Sequence, residues 1–309
     1  MQDRSNRFAL IAAALCFLFG AVPAHGQQLS ETQSWAVDLA GRYTVTPNVT
    51  YVTANNYEAK LDVYRPKDNT DVHPTLLYFH GGGMVNGTKE ATAFTFLPFL
   101  EKGWTVVNVE YRLARVSLAP AAIEDGRCAL RWVYQHAKEN KFDTNRIVTM
   151  GNSAGGNLAL MLGYLPASSE FDRQCPGNDD LKVAAVLDWY GITDWNDLLD
   201  GPNTRPYALT WFGSQPDRRQ IAKSVSPLTY VRSGLPPTIM IQGNGDPNVP
   251  YDQSVRLRKA LEDAHVANQL VTIQANTHGN FSESQMNDAY VQLWAFLAKY
   301  LPGQLLGAR

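Results

Sequence analysis

Residues 146–156 read Arg-Ile-Val-Thr-Met-Gly-Asn-Ser-Ala-Gly-Gly. The first five make a short apolar run with β-branched members, the signature of a buried strand. Gly151-Asn152-Ser153-Ala154-Gly155 follows with no spacer, and a helical pattern runs on over residues 154–165. A serine placed between glycines at a strand-to-helix turn projects from a sharp bend, and its small neighbours leave room for close packing around it. The N–H groups at the start of the helix behind it can stabilise a developing oxyanion. The first expectation is therefore a nucleophilic serine at the C-terminal edge of a sheet.

Outward from this point, strand-like runs alternate with helical patterns. Residues 49–53 and 59–64 read as an antiparallel pair joined at Asn55-Asn56, and further strands are expected at 75–79, 105–109, 183–189, 238–242 and 269–273. Helical patterns occupy 91–102, 121–140, 253–264 and 284–300, the second presenting Ala122, Cys128, Ala129, Trp132, Val133 and His136 as a packing face. Such alternation predicts an α/β fold, with a mostly parallel central sheet of about eight strands and helices on both faces. One segment, 191–234, interrupts it with Trp195, Tyr207, Trp211 and Phe212 set among turn residues. It reads as a small lid or pocket-wall insertion within one catalytic domain, 27–309.

A serine hydroxyl needs a base, and imidazole titrates near neutral pH. His278 follows the last expected strand on the same edge as Ser153, whereas His136 falls inside a helix, His265 at a helix end and His73 before a strand. The acid that orients the base is expected between serine and histidine in chain order, and Asp246, in the loop after the penultimate strand, fits. Asp188, Asp194 and Asp252 compete for that role. His80-Gly81-Gly82-Gly83 follows the strand at 75–79. Its glycines let backbone N–H groups approach a reacting carbonyl, so Gly82, Gly83 and Ala154 are the expected oxyanion hole. His80 is expected to hold this loop rather than act as the base. Tyr190, Trp195, Tyr207, Trp211 and Phe212 can form an apolar acyl pocket or stack on a sugar or aromatic acyl group, or can simply pack the insertion on the sheet.

Composition narrows the compartment and the partners. Of 309 residues, 29 are acidic and 27 basic, a net charge of −2, which argues against nucleic acid or another polyanion as partner. Arg4 and Arg7 precede an apolar run over residues 8–19, and small residues follow at Ala24 and Gly26. This predicts a signal peptide at 1–26 and a secreted or periplasmic protein with no membrane span after its removal. Cys16 would leave with the signal. Cys128 and Cys175 would remain as a disulfide or as two buried thiols. The cysteines show no metal-type spacing, and neither metal nor cofactor is expected.

The His80-Gly-Gly-Gly run, Gly151-Asn-Ser-Ala-Gly-Gly156 and the Asp246/His278 pair resemble those of α/β-hydrolase carboxylesterases. So do Leu61-Asp-Val-Tyr-Arg-Pro66, Glu110-Tyr-Arg-Leu-Ala114, residues 125–132, Trp189-Tyr-Gly-Ile-Thr-Asp194 and Ser226-Pro-Leu-Thr229. These stretches are similar to the hormone-sensitive-lipase-like and the feruloyl/acetylxylan-esterase-like branches. The resemblance implies the α/β-hydrolase fold and hydrolysis of short-chain or plant-polysaccharide-linked (acetyl, feruloyl) esters through an acyl-enzyme. Asn152 stands where the first branch usually has Asp, and Gly-Asn-Gly-Asp246-Pro-Asn-Val-Pro is closer to the second. A peptidase, an arylformamidase-type amide hydrolase and a non-catalytic binding protein on this scaffold are the alternatives.

Overall fold

A computed structural model describes residues 29–68 and 71–301, so the expected signal at 1–26 lies outside the described residues. Each run read as a strand belongs to one: β1 (Tyr43–Ala54), β2 (Tyr57–Pro66), β3 (His73–Phe79), β4 (Thr105–Val109), β5 (Phe142–Asn152), β6 (Ala185–Trp189), β7 (Thr238–Gly243) and β8 (Asn268–Ile273). They form a single eight-stranded sheet in the order β1-β2-β4-β3-β5-β6-β7-β8. Asn55 and Asn56 both take positive φ, 53° and 59°, which suits the tight hairpin that makes β1 and β2 antiparallel. β2 also runs antiparallel to β4, and every pairing from β4 to β8 is parallel.

The helices are α1 (Glu31–Arg42), α2 (Leu97–Glu101), α3 (Ala121–Gln135), α4 (Ala137–Asn140), α5 (Ala154–Tyr164), α6 (Pro206–Phe212), α7 (Arg218–Ser224), α8 (Tyr251–Asp263) and α9 (Glu283–Tyr300). Alternation along the strands sorts the core into two layers. Leu77 and Phe79 of β3 face α3, α5 and the insertion, whereas Leu76 and Tyr78 face α1, α2 and α9. The helix expected over 121–140 is broken at His136, and the one expected over 91–102 is a 3-10 helix (Glu90–Phe96) running into α2. α1 was not anticipated. Its capping box, Ser30 with Gln33, is legible, but Leu39 alone is buried, too little apolar periodicity to announce a helix. No described helix is long and apolar enough to cross a membrane.

Two buried features brace α3. Cys128 on this helix is bonded to Cys175, with a Cα separation of 5.5 Å, closing a loop across a sequence separation of 47. A crosslink of that span stabilises by about 4 kcal/mol in the chain-entropy treatment. At the start of the helix, the Arg112 guanidinium donates to Asp125 at 2.9 Å and to Glu124 at 3.2 Å, with all three side chains buried. Buried charges persist only when paired in this way.

Candidate active site

β5 ends at Asn152 and α5 starts at Ala154, so the whole reversal falls on Ser153, at φ 56° and ψ −119°. This is a costly conformation for a residue with a side chain, and it aims the hydroxyl out of the sheet's C-terminal edge. The bend closes only because Gly155 has no side chain. A Cβ there would stand 2.1 Å from the Phe79 carbonyl oxygen at the end of β3. The Ser153 N–H donates to the Trp189 carbonyl at 2.8 Å, tying the bend to β6. Ser153, at 9% exposure, is one wall of a cavity of about 360 Å³ that His80, Gly82, Gly83 and His278 also line.

His278 arrives from the loop after β8, and its Nδ1 is 2.7 Å from Asp246 Oδ2. Only a donating Nδ1–H satisfies that contact with a carboxylate, which leaves Nε2 as the proton acceptor. Asp246 follows β7 and is itself fixed: the Asn248 and Val249 N–H groups donate to its Oδ1 at 2.8 and 3.0 Å. Two of the three rival acids are engaged elsewhere. Asp194 and Asp252 pair with Arg256 at 2.9 and 2.8 Å. Asp188 is fully buried on β6, its carboxyl lodged against Gly156 and Gly191, and burial pushes its pKa up to about 7.

His80 holds the glycine loop. It is fully buried, its Nδ1 lies 2.7 Å from the Gly81 carbonyl, and its ring stacks on Tyr111 at 4.4 Å. The Tyr111 hydroxyl donates to the His80 carbonyl at 2.8 Å. Burial pushes the imidazole down from 6.5 to about 4, outweighing the hydrogen bond to Gly81. Between those values the unfolded chain binds the extra proton and the folded one does not, so this group's contribution to stability is lost as pH falls from 6.5 toward 4. Denaturant titrations across that window are expected to show a shallower decline for His80→Gln than for the wild type; an equal slope would mean that His80 is charged in the fold.

The loop held by His80 carries Gly82 and Gly83 at φ 121° and 62°. Among the described residues, the N–H groups of Gly82, Gly83 and Ala154 have no backbone acceptor. Tyr207 packs so closely on Gly83 that a Cβ there would be 2.8 Å from it. The insertion thus touches the oxyanion loop directly.

Of the five aromatic side chains expected near substrate, Tyr190 and Tyr207 line the cavity. Trp195, Trp211 and Phe212 do not, and here the sequence expectation is corrected. All three are fully buried and packed on one another, with Trp195 and Trp211 centroids 4.6 Å apart and Trp211 and Phe212 4.9 Å apart. The insertion has to bury its own core against α3 and α5, and its largest aromatics serve that purpose. Asn152, which sequence reasoning noted only as a departure, and Tyr78, which it did not single out, also meet here. Asn152 accepts from the Tyr78 hydroxyl at 3.0 Å and reaches toward the Tyr190 hydroxyl, while the Tyr190 ring meets His278 edge-on at 4.7 Å. Thr88, Ala91 and Thr92 also line the walls, and no pattern in the sequence analysis marks them for it.

A mostly parallel sheet carrying a strained serine, a carboxylate-bound histidine and free backbone N–H groups on one edge defines the α/β-hydrolase class. The comparisons narrow it: the BD-FAE family model matches residues 61–261, and the chain belongs to that family. Esterase LipC of Mycobacterium tuberculosis is 29% identical over 200 residues, covering 63% of this chain and 50% of that protein. The ethyl acetate hydrolase of Pseudomonas putida is 28% identical over 268 residues, covering 82% and 80% of the two chains. Among solved structures, native esterase 2 of Thermogutta terrifontis is 25% identical with a TM-score of 0.69, covering 86% of this chain and 96% of the other. A truncated carbohydrate esterase from gut microbiota has the same TM-score, 0.69, at 23% identity over 83% and 97% of the chains, a likeness of fold. The chain spans about half the length of LipC and of its fellow mycobacterial esterases LipM and LipQ.

Proposed function

We propose that this protein is an exported serine carboxylesterase. Ser153 Oγ attacks the ester carbonyl as His278 Nε2 takes its proton, and the N–H groups of Gly82, Gly83 and Ala154 receive the oxyanion. Asp246 keeps His278 in the right tautomer and stabilises the imidazolium. His278 then protonates the departing alkoxide, and water releases the acyl group by the reverse transfers. The observation that carries this reading is the 2.7 Å contact between His278 and Asp246 on a cavity that Ser153 also lines.

The substrate is a short-chain or plant-polysaccharide-linked ester, with acetyl and feruloyl groups as the acyl part. A cavity of about 360 Å³ walled by Tyr190, Tyr207 and the oxyanion glycines suits a small or flat neutral acyl group. The esterase relatives and the carbohydrate esterase of like fold support the same reading. The test is a panel of p-nitrophenyl acetate, butyrate and decanoate with acetylated xylan and methyl ferulate, and acetanilide as the amide counterpart. Turnover of the short and saccharide-linked esters, with acetanilide inert, is expected. Preference for the anilide would replace the esterase with an amide hydrolase.

A further inference from the structure

With Trp195, Trp211 and Phe212 buried in the insertion, Tyr190 and Tyr207 are the aromatic walls of the cavity. One large aromatic side chain stands outside it, on the 3-10 helix Glu90–Phe96: Phe94, 84% exposed. A 3-10 helix repeats every three residues, so side chains three apart eclipse. Ala93 and Phe96 face inward and pack in the core. Ala91 and Phe94 share the outer face, and Ala91 lines the cavity. Phe94 therefore stands one turn, about 6 Å, along the helix from a residue of the cavity wall.

Its mount is fixed. Phe96 meets Tyr64 and Tyr78 edge-on at 4.9 and 5.5 Å, and the Tyr290 hydroxyl donates to the Thr95 carbonyl at 2.9 Å. At the start of the helix, buried Lys89 pairs with Asp62 at 2.9 Å. The ring is thus held in water by a braced backbone, one turn from a cavity whose lining includes the neutral hydrogen-bonding residues Asn86, Thr88, Thr92 and Asn248.

We propose that Phe94 is a specificity-determining residue: a platform on which a pyranose ring of the substrate's alcohol part stacks while the acyl group occupies the cavity beside Ser153. This rests on the esterase reading above. A pyranose has one apolar C–H face and an edge of hydroxyls, matching an isolated aromatic face beside neutral amide and hydroxyl groups. An alkyl chain or lipid surface would strip water from those groups and return no hydrogen bonds.

The experiment compares wild type, Phe94→Ser and Phe94→Trp on p-nitrophenyl acetate, acetylated xylo-oligosaccharide and a tributyrin emulsion. For Phe94→Ser, the ratio of kcat/KM on the oligosaccharide to that on p-nitrophenyl acetate is expected to fall between about 3- and 10-fold, chiefly through KM. Phe94→Trp is expected to keep the wild-type ratio or raise it. An unchanged ratio overturns the proposal, as does a loss confined to tributyrin, which would make Phe94 a lipid contact. Hydrolysis of p-nitrophenyl acetate without any turnover of the oligosaccharide overturns the platform and leaves the esterase standing. Failure on every ester removes both.

Discussion

Ser153→Ala is expected to lower ester turnover by at least about 10⁴-fold without changing the melting temperature. The loss is large because the hydroxyl forms the bond to the acyl group, and no neighbouring side chain in the cavity offers a comparable nucleophile: the other walls are glycines, amides, threonines, tyrosines, two histidines, Val85 and Ala91. The fold is spared because alanine takes the same strained backbone position, and the Ser153 N–H keeps its bond to the Trp189 carbonyl. Steady-state rates on p-nitrophenyl acetate and a thermal scan of the same preparation suffice. Full turnover by a folded variant would end the acyl-enzyme mechanism and leave a binding protein, or another nucleophile, on this scaffold.

The next largest effect belongs to Asp246→Asn, for which kcat is expected to fall by about 10³- to 10⁴-fold. An asparagine there can still accept the Asn248 and Val249 N–H groups through its oxygen, so the loop keeps its shape. Its amide would then donate toward His278 Nδ1, placing the ring proton on Nε2, where it blocks acceptance from Ser153. The imidazolium that forms during attack would also lose its carboxylate partner. Rates on p-nitrophenyl acetate, read with circular dichroism, are decisive: a loss under about tenfold in a folded variant would show that another group orients the base. Asp188 would be the first alternative, since it is buried on the neighbouring strand with no charged partner among the described residues.

Much of this arrangement is legible in the amino-acid sequence. The inner strands announced themselves because parallel strands are buried on both faces and so read as short apolar runs, as β3, β4 and β6 do, whereas the antiparallel pair β1 and β2 was marked by the turn at Asn55-Asn56. Ser153, Asp246 and His278 were singled out by position: each follows the end of a strand, and parallel strands deliver those ends to one edge. The glycine loop was readable for a similar reason, since only glycine accepts the positive φ at Gly82.

Other features were hidden in the sequence. Five aromatic residues looked alike as pocket candidates, because composition cannot separate a ring that faces substrate from one that fills an insertion's own core; packing put Tyr190 and Tyr207 on one side and Trp195, Trp211 and Phe212 on the other. The Cys128–Cys175 bond depended on a Cα separation that no spacing reveals. Phe94 drew no notice at all, since a lone phenylalanine in an apolar stretch reads as core. Local pattern was enough to choose the fold and the chemistry, because strand periodicity and strand ends are local properties. Which surfaces face the substrate is a property of distant segments meeting, and folding alone brings the insertion, the glycine loop and the 3-10 helix around one cavity.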